Sequence, residues 1–240
     1  MLDMLVRLTG IQGSIIYNPI DMDKDRCRAL EDCLQGRYGE LAVTKLVVPS
    51  GAPPEVPRLF LVSQEYNFNI HISNNMLQVN VVLCEESDAE YYKKLDEVAN
   101  GLKALLALFK EFSANILYVG VVANYVAHMD GDGVKHILNK CFNVNNLQDK
   151  EHLFDVMGRL TYIENETYYK NVTISNVREK LTSSNAVGIF YDVNDRYRYN
   201  VRNNLDNARN NLCENPESTL DSIVRIHKRF ISEKFDSLLA

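Results

Sequence analysis

EYNFNIHISNNMLQVNVVL, residues 65–83, alternates apolar and polar side chains almost without a break. Such alternation is typical of strands with one buried and one wet face, and Asn74-Asn75 near its middle predicts a two-residue turn. We expect positive φ angles at these asparagines, because such turns demand them and asparagine tolerates them. Since a slip of one residue would bury the polar face, the register should be fixed. The hairpin then pairs apolar residues on one face: Ile72 with Leu77, Ile70 with Val79, Phe68 with Val81 and Tyr66 with Leu83.

The opposite face of this hairpin is polar and forms the first candidate binding surface. Its amides and imidazole can exchange hydrogen bonds with a polar ligand or an extended peptide. The alternative interpretation is the wet side of a half-buried antiparallel sheet, which is a common pattern. The residues of this face are Asn67, Asn69, His71, Gln78 and Asn80.

Helical periodicity and capping signals predict the helices. Ser87 and Glu90 have the spacing of a capping box at the start of a long amphipathic helix. Gly36 is the predicted stop signal of an early helix, and Asn215 with Pro216 predicts the start of the last one. The predicted helices cover 21–35, about 87–112, a short stretch after the turn at 130–133, 147–157, a short stretch between 174 and 187, and the chain from 216 onward.

The remaining segments predict strands and one loop. The stretch 115–129 is apolar on both faces and should lie centrally in a sheet. The Asn- and Arg-rich segment 194–215 has little apolar content and predicts a mobile loop. Further strands are predicted at 41–48, 159–164, 168–174 and 187–193. We therefore expect an α+β fold, an antiparallel or mixed sheet with long amphipathic helices packed on one face. We treat 1–240 as a single domain, with 1–85 and 86–240 as the alternative subdivision.

Composition limits the classes of function. The chain of 240 residues is 46% hydrophobic and 24% charged, and its net charge of −6 disfavours a general nucleic-acid binder. No apolar run approaches the ~20 residues of a membrane span, and the N-terminal stretch resembles a strand rather than a signal peptide. Five scattered cysteines without Cys-x-x-Cys spacing indicate thiols in a reducing compartment, so we expect a cytoplasmic protein. The sequons at Asn165 and Asn171 would matter only in a secretory pathway.

Acidic clusters and histidines supply the candidate metal chemistry. HMDGDG, residues 128–133, places His128, Asp130 and Asp132 around a turn after the central strand, where a metal-dependent hydrolase could collect its ligands. A turn satisfied by its own aspartates explains the same letters. DMDKDRCRALED, residues 21–32, begins like a calcium loop but lacks its glycine and final glutamate, which favours a helix start. His227 lies on the apolar stripe of the last helix, as a core histidine or, alternatively, a buried switch or base.

The segment 196–202 interleaves tyrosines with arginines. Aromatic stacking combined with guanidinium charge is what single-stranded nucleic acid prefers. Because aspartates nearly balance the arginines between 191 and 211, a self-paired solvated loop is the competing interpretation. The residues concerned are Arg196, Tyr197, Arg198, Tyr199 and Arg202.

Signature motifs of common enzymes are absent from the sequence. It contains no phosphate-binding or dinucleotide-binding glycine loop, no Gly-x-Ser-x-Gly elbow and no His-Glu-x-x-His. No lysine follows a carboxylate by two positions, so the usual metal nuclease signature is missing as well. Our first hypothesis is therefore a non-enzymatic binding or interaction protein that needs no cofactor and has a protein partner. Self-association is a further option.

Two segments resemble a known group of proteins. LYVGVVANYV, residues 117–126, resembles the strand that carries a Gly-x-x-x-Asn element in a sporadically distributed, uncharacterised family of bacterial proteins of similar length. LDSIVRIHKRFISEKFD, residues 220–236, is similar to the closing helix of that family, with its histidine at 227. The resemblance implies a soluble bacterial α+β protein without an established activity. Our first hypothesis includes an accessory role in a bacterial multi-protein system.

Overall fold

Nine strands and five helices make up the part of the chain that the structure, a computed structural model, describes: residues 6–49, 51–63, 67–85, 88–128, 131–141, 153–178, 186–205 and 212–232. The strands are β1 (Val6–Tyr17), β2 (Ala42–Lys45), β3 (Leu59–Ser63), β4 (Phe68–Ile72), β5 (Met76–Glu85), β6 (Ile116–His128), β7 (Met157–Glu164), β8 (Tyr168–Val177) and β9 (Ala186–Asn194). The helices are α1 (Lys24–Tyr38), α2 (Asp88–Glu111), α3 (Gly133–Cys141), α4 (Arg196–Leu205) and α5 (Pro216–Ser232).

The nine strands form one sheet in the order β2-β3-β4-β5-β1-β6-β9-β8-β7. Every pairing is antiparallel, so the α+β prediction is confirmed and the sheet contains no parallel pair among the described strands. The sheet runs across residue 85 without a break, because β5 pairs with β1 and β1 with β6. The domain assignment stays a prediction. Among the described helices, none combines the length and apolar character that crossing a membrane requires.

The predicted hairpin is present as β4 and β5, in the predicted register. Phe68 faces Val81, Ile70 faces Val79 and Ile72 faces Leu77, while Tyr66 lies outside the described residues. The turn itself differs from the prediction, because neither Asn74 nor Asn75 has a positive φ.

Hydrogen bonds to the side chain of Ser73, rather than a left-handed backbone, stabilise this turn. Its Oγ accepts from the backbone N–H of Met76 at 3.1 Å and of Asn75 at 3.4 Å. The Ser73 N–H donates to the Met76 carbonyl at 2.8 Å, and the Tyr17 hydroxyl donates to the Ser73 carbonyl at 2.7 Å. A side-chain acceptor near the turn thus replaces the backbone geometry that a two-residue hairpin usually needs.

The core lies between the central strands and helices α2 and α5. Gly13 in β1 allows α2 to approach closely, since a Cβ atom at this position would lie 2.6 Å from Leu102 Cδ1. Strand β6 is central, as predicted, and alternates buried with half-buried residues instead of burying both faces. Within β6, Val119 and Val121 are buried, while Tyr118 and Gly120 lie on the second face of the sheet.

Helix α1 begins and ends differently from its prediction. Asp23 Oδ1 accepts from the N–H groups of Asp25 and Arg26, so the acidic stretch at 21–32 caps a helix. The helix passes through Gly36, the predicted stop, and ends at Tyr38, with Gly39 at φ 72° after it. A glycine inside a helix costs about 1 kcal/mol relative to alanine, which buried Leu30 and Leu34 offset.

Two further predictions are wrong. The predicted mobile loop at 194–215 contains α4, because its tyrosines pack on the sheet and supply apolar contacts in a segment with few aliphatic residues. Of the helix predicted over 147–157, residues 147–152 lie outside the described part, 153–156 have no regular structure and Met157 begins β7. Ser87 and the short helix predicted between 174 and 187 also fall largely outside the described residues.

Candidate functional site

The second face of the sheet carries a continuous row of mostly polar residues. Residues that directly oppose each other in an antiparallel sheet share a face, so the register of successive strand pairs defines the row. It starts from the predicted hairpin face in β4 and crosses β5, β1, β6, β9 and β8 to β7. This polar row consists of Asn69, Asn80, Gln12, Val122, Asp192, Asn171 and Thr161.

At the hairpin end of the polar row, the predicted side chains bind one another. Asn80 Nδ2 donates to Asn69 Oδ1 and Gln78 Nε2 donates to Asn80 Oδ1, both at 2.8 Å. The His71 ring packs on Phe60 with centroids 4.6 Å apart, and burial lowers the pKa of His71. Asn67 does not belong to the row, because it precedes β4 with φ 51°. At this end the amides therefore already bind one another.

At its other end the polar row opens into a cleft of about 360 Å³. Strands β7, β8 and β9 form its floor, and the start of α4 forms its wall. The residues that line this cleft are Arg159, Thr161, Tyr169, Asn171, Asp192, Asn194, Arg196 and Asn200.

The cleft floor is a hydrogen-bonded network centred on one carboxylate. Asn171 Nδ2 donates to Asp192 Oδ2 at 2.9 Å, and Asn194 Nδ2 donates to both oxygens of Asp192 at 3.0 Å. Thr161 Oγ1 donates to Asn171 Oδ1 at 2.9 Å, so the network reaches the last strand. Burial raises the pKa of Asp192, although the two amides and the charges of Arg159 and Arg196 act in the opposite direction.

Two guanidinium groups stand at the rim of the cleft. The side chains of Arg159 and Arg196 are exposed, and neither forms an ion pair with a residue that the structure describes. The Arg196 guanidinium lies 5.8 Å from the centroid of the Tyr118 ring. Guanidinium groups donate paired hydrogen bonds to carboxylate or phosphate, and a carboxylate accepts from hydroxyl or amine. The cleft thus offers donors at its rim and an acceptor at its floor.

Helix α4 orders the predicted Tyr/Arg segment against the sheet. The Tyr197 ring meets Tyr169 edge to face at 5.4 Å, and the Tyr199 ring lies 5.5 Å from Tyr118. Both tyrosines are half-buried, so their rings dock the helix and leave little free face for bases to stack on. Arg198 is exposed, and the side chain of Arg202 lies outside the described part. Binding of single-stranded nucleic acid stays a prediction.

The predicted metal turn is only partly described. Asp132 Oδ1 accepts from the Val134 N–H at 2.9 Å, which caps α3. His128 ends β6 and is half-buried, and Asp130 lies outside the described residues. Within the described residues, no three His, Cys, Asp or Glu side chains come together as a metal site would require.

His227 lies on the opposite face of the sheet from the cleft. Its side chain is fully buried, and Nε2 donates to the Val121 carbonyl at 2.9 Å. The ring edge meets Tyr191, which stacks on Phe230 at 3.7 Å. Among the described residues Nδ1 has no hydrogen-bond partner, and burial lowers the pKa of His227 to about 4. A neutral imidazole in an apolar contact shell is a packing residue, as the core interpretation predicts.

Sequence reasoning missed most of the cleft. In the sequence Asn171 was predicted only as part of a sequon. In the structure it is 4% exposed and its side chain is hydrogen-bonded to Asp192, so the folded chain does not present it for glycosylation. The signal was present as polar residues within a predicted strand or directly after it, namely Asn171, Asp192 and Asn194. It becomes a site only through strand register, which the sequence does not give for β7, β8 and β9.

Comparison with known proteins adds no relative. A scan of the chain against models of protein families finds no match. A search of the curated proteins likewise finds none. The resemblance to the uncharacterised bacterial family therefore stays a prediction, and the candidate function rests on the geometry of the cleft.

Proposed function

We propose that the protein is a non-enzymatic binding protein whose polar row holds a partner and whose cleft anchors it. One observation supports this above all: two exposed arginines without ion-pair partners in the described chain flank a carboxylate that is fixed by two asparagines. A carboxylate held by amides from two strands is already positioned, so a ligand meets a preformed acceptor.

The ligand class follows from the charges of the cleft. Arg159 and Arg196 suit an anionic group, whereas Asp192 repels an anion and favours a hydroxyl or amine donor. A small molecule that carries both features satisfies rim and floor together. A protein partner would offer the same chemistry as an acidic side chain next to a hydroxyl-bearing one.

Binding without catalysis agrees with the residues that line the cleft. They include one carboxylate, and no histidine, cysteine or lysine. Asp192 accepts from both neighbouring amides and has no second carboxylate beside it in the lining. The free thiols of Cys27, Cys33 and Cys213 support a reducing compartment, and we propose a cytoplasmic accessory role in a bacterial assembly.

Titration with two probes tests the binding proposal. Ribose 5-phosphate combines an anion with hydroxyls, and L-glutamate combines an anion with an amine; inorganic phosphate and ribose are the part-ligand controls. We expect NMR shifts at the side-chain amides of Asn171 and Asn194 with at least one complete probe. Weaker binding is expected for phosphate or ribose alone.

Arginine variants identify the site. The double variant Arg159→Ala/Arg196→Ala should weaken binding at least about tenfold, or about 1.4 kcal/mol. Arg225→Ala, an exposed arginine on α5 away from the cleft, should leave it unchanged. Equal affinity in all three proteins, or shifts confined to other residues, would reject the cleft as the binding site.

A further inference from the structure

Strand β7 is an edge strand with unusually apolar exposure. Met157, Leu160, Tyr162 and Ile163 are 70%, 50%, 44% and 53% exposed. On its outer side no strand pairs with it among the described residues. The strand contains no proline or lysine and pairs with β8 through eight consecutive residues without a bulge. It therefore lacks three of the usual devices that keep sheet edges from pairing, namely proline, lysine and a bulge, and Arg159 is the charge in its interior.

The hydrogen bonds that bound β7 show which backbone groups point outward. The Val156 carbonyl accepts from the Asn176 N–H at 3.3 Å, and the Glu164 carbonyl accepts from the Thr167 N–H at 3.1 Å. In an antiparallel pair, alternate residues bond to the neighbouring strand. Even-numbered residues of β7 therefore bond to β8, and the N–H and C=O groups of the odd-numbered residues point away from the sheet. The outward set consists of Met157, Arg159, Thr161 and Ile163.

We propose that a second copy of this chain pairs its β7 antiparallel to this β7, which gives a twofold-symmetric dimer with one continuous sheet. A twofold axis perpendicular to the sheet preserves each face, so odd residues must oppose odd residues. Outward hydrogen bonds impose the same rule. A register centred on Thr161 meets both conditions: Thr161 opposes its own copy, and Arg159 opposes Ile163 of the second copy.

The side chains of this register are compatible with self-pairing. Leu160 lies beside Tyr162 of the second copy, and close cross-strand pairs of this type are favourable. Arg159 meets Ile163 rather than another arginine. Glu164 is already paired with Lys170, at 3.1 Å, and with Arg229. No like charges therefore oppose each other across the axis.

The other edge of the sheet explains why the dimer forms through β7. Strand β2 has four residues and ends at Lys45, whose ammonium group pairs with Glu31 at 2.9 Å. A short edge that carries a lysine is a typical protected edge. The two edges differ in length, since β2 has four residues and β7 has eight, and the lysine of β2 has no counterpart in β7.

Pairing through β7 would also bring two clefts together. Arg159 and Thr161 line the cleft, and the twofold axis keeps both clefts on the same face. With strands about 4.8 Å apart, the Asn171 residues of the two copies lie three spacings, about 14 Å, from each other. The dimer would present one groove with four rim arginines, whether or not the proposed ligands bind there.

Sedimentation equilibrium over a wide concentration range tests the dimer. We expect twice the chain mass for the unaltered protein and the chain mass for Leu160→Lys/Tyr162→Lys. Ile163→Pro removes one outward N–H without touching the ladder to β8 and should weaken dimerisation at least tenfold. Val47→Lys, at a fully exposed apolar position near the β2 edge, should remain a dimer.

Amide hydrogen exchange distinguishes a β7 edge that is paired with a second copy from one that is covered by another segment of the same chain. The N–H groups of Arg159, Thr161 and Ile163 should be protected in the dimer and exposed in Leu160→Lys/Tyr162→Lys. The N–H groups of the even-numbered residues, which bond to β8, should be protected in both proteins. A monomer at every concentration overturns the proposal, as does a dimer that survives both β7 variants. Protection of the odd amides in a monomer would show that another segment of the chain covers the edge.

Discussion

Asn194 joins the floor of the cleft to the start of α4 through its single side chain. Its Nδ2 donates to both Asp192 oxygens at 3.0 Å, and its Oδ1 accepts from the Arg196 N–H at 3.1 Å. One residue therefore positions the carboxylate, caps the helix and sets the origin of the rim arginine. Asp195, next in the chain, accepts from the Val119 N–H at 2.8 Å and anchors the same corner to β6.

Asn194→Ala should destabilise the fold by about 2 kcal/mol, because it removes donors from the half-buried carboxylate of Asp192 and a cap from α4. Urea unfolding followed by circular dichroism measures the loss. We also expect the backbone amides of α4 to exchange faster than they do in the parent protein. Those of α5 should keep their rates, since only α4 loses a cap.

Asn18→Ala is the matched control for this loss. The Asn18 side chain is exposed and makes no hydrogen bond to the described residues, so its removal should change stability by less than about 0.5 kcal/mol. Equal unfolding midpoints for the two variants would show that the Asp192 network contributes nothing to stability.

Gly120→Ala should disturb the same corner from the neighbouring strand. A Cβ atom on Gly120 would lie 2.9 Å from Asn194 Cβ and 3.4 Å from the Val193 carbonyl oxygen, and both groups are close to the backbone. Overpacking of this kind costs about 1–3 kcal/mol. We expect lower stability and altered Asn194 amide resonances.

The control for Gly120→Ala is the same substitution in α1. Nothing lies within 4 Å of a Cβ atom on Gly36, and its φ is not positive. Gly36→Ala should therefore stabilise the protein by up to about 1 kcal/mol through helix propensity. Stability changes of opposite sign from the same Gly→Ala substitution would distinguish steric crowding at Gly120 from helix propensity at Gly36.

The hairpin could be predicted from sequence because its information is local. Alternation over residues 68–81 and a short turn fix both register and buried face, and Phe68, Ile70 and Ile72 are buried as expected. The turn type was not predictable, since Asn74-Asn75 allows a left-handed backbone as readily as the Ser73 side-chain bonds that the structure uses.

The cleft could not be predicted because its information is not local. Asn171 and Asp192 are 21 positions apart and meet only when β8 pairs with β9 in one particular register. Helix α4 has few aliphatic residues, and its stability comes from tyrosines that find partners on the sheet, such as Tyr169 and Tyr118. Composition alone cannot distinguish such a helix from a solvated loop.

Ser73→Ala should destabilise the protein by about 1–2 kcal/mol, because the N–H groups of Asn75 and Met76 lose their side-chain acceptor in a buried turn. Ser222→Ala, on the exposed face of α5, should be neutral within about 0.5 kcal/mol. Thermal and urea unfolding of both variants measure the difference. If the stability of the Ser73→Ala protein were unchanged, the asparagines alone would determine the turn.

His227 should make the fold less stable as the pH falls from about 6.5 to about 4. Burial lowers its folded pKa to about 4, whereas the unfolded chain titrates near the ordinary value of 6.5. The unfolded state therefore binds a proton that the folded state refuses across this window, and stability falls by about 1.4 kcal/mol per pH unit. Above pH 6.5 both states are neutral, and the contribution of His227 no longer changes.

His227→Gln isolates this contribution from the carboxylates that titrate in the same range. Glutamine retains an N–H donor for the Val121 carbonyl but gains no proton, so it should be less stable than the parent at pH 7 through poorer packing on Tyr191. The stability gap between the two proteins should then narrow as the pH falls from 6.5 to 4. A gap that stays constant across this range would mean that the imidazole is protonated in the fold or already shielded in the unfolded chain.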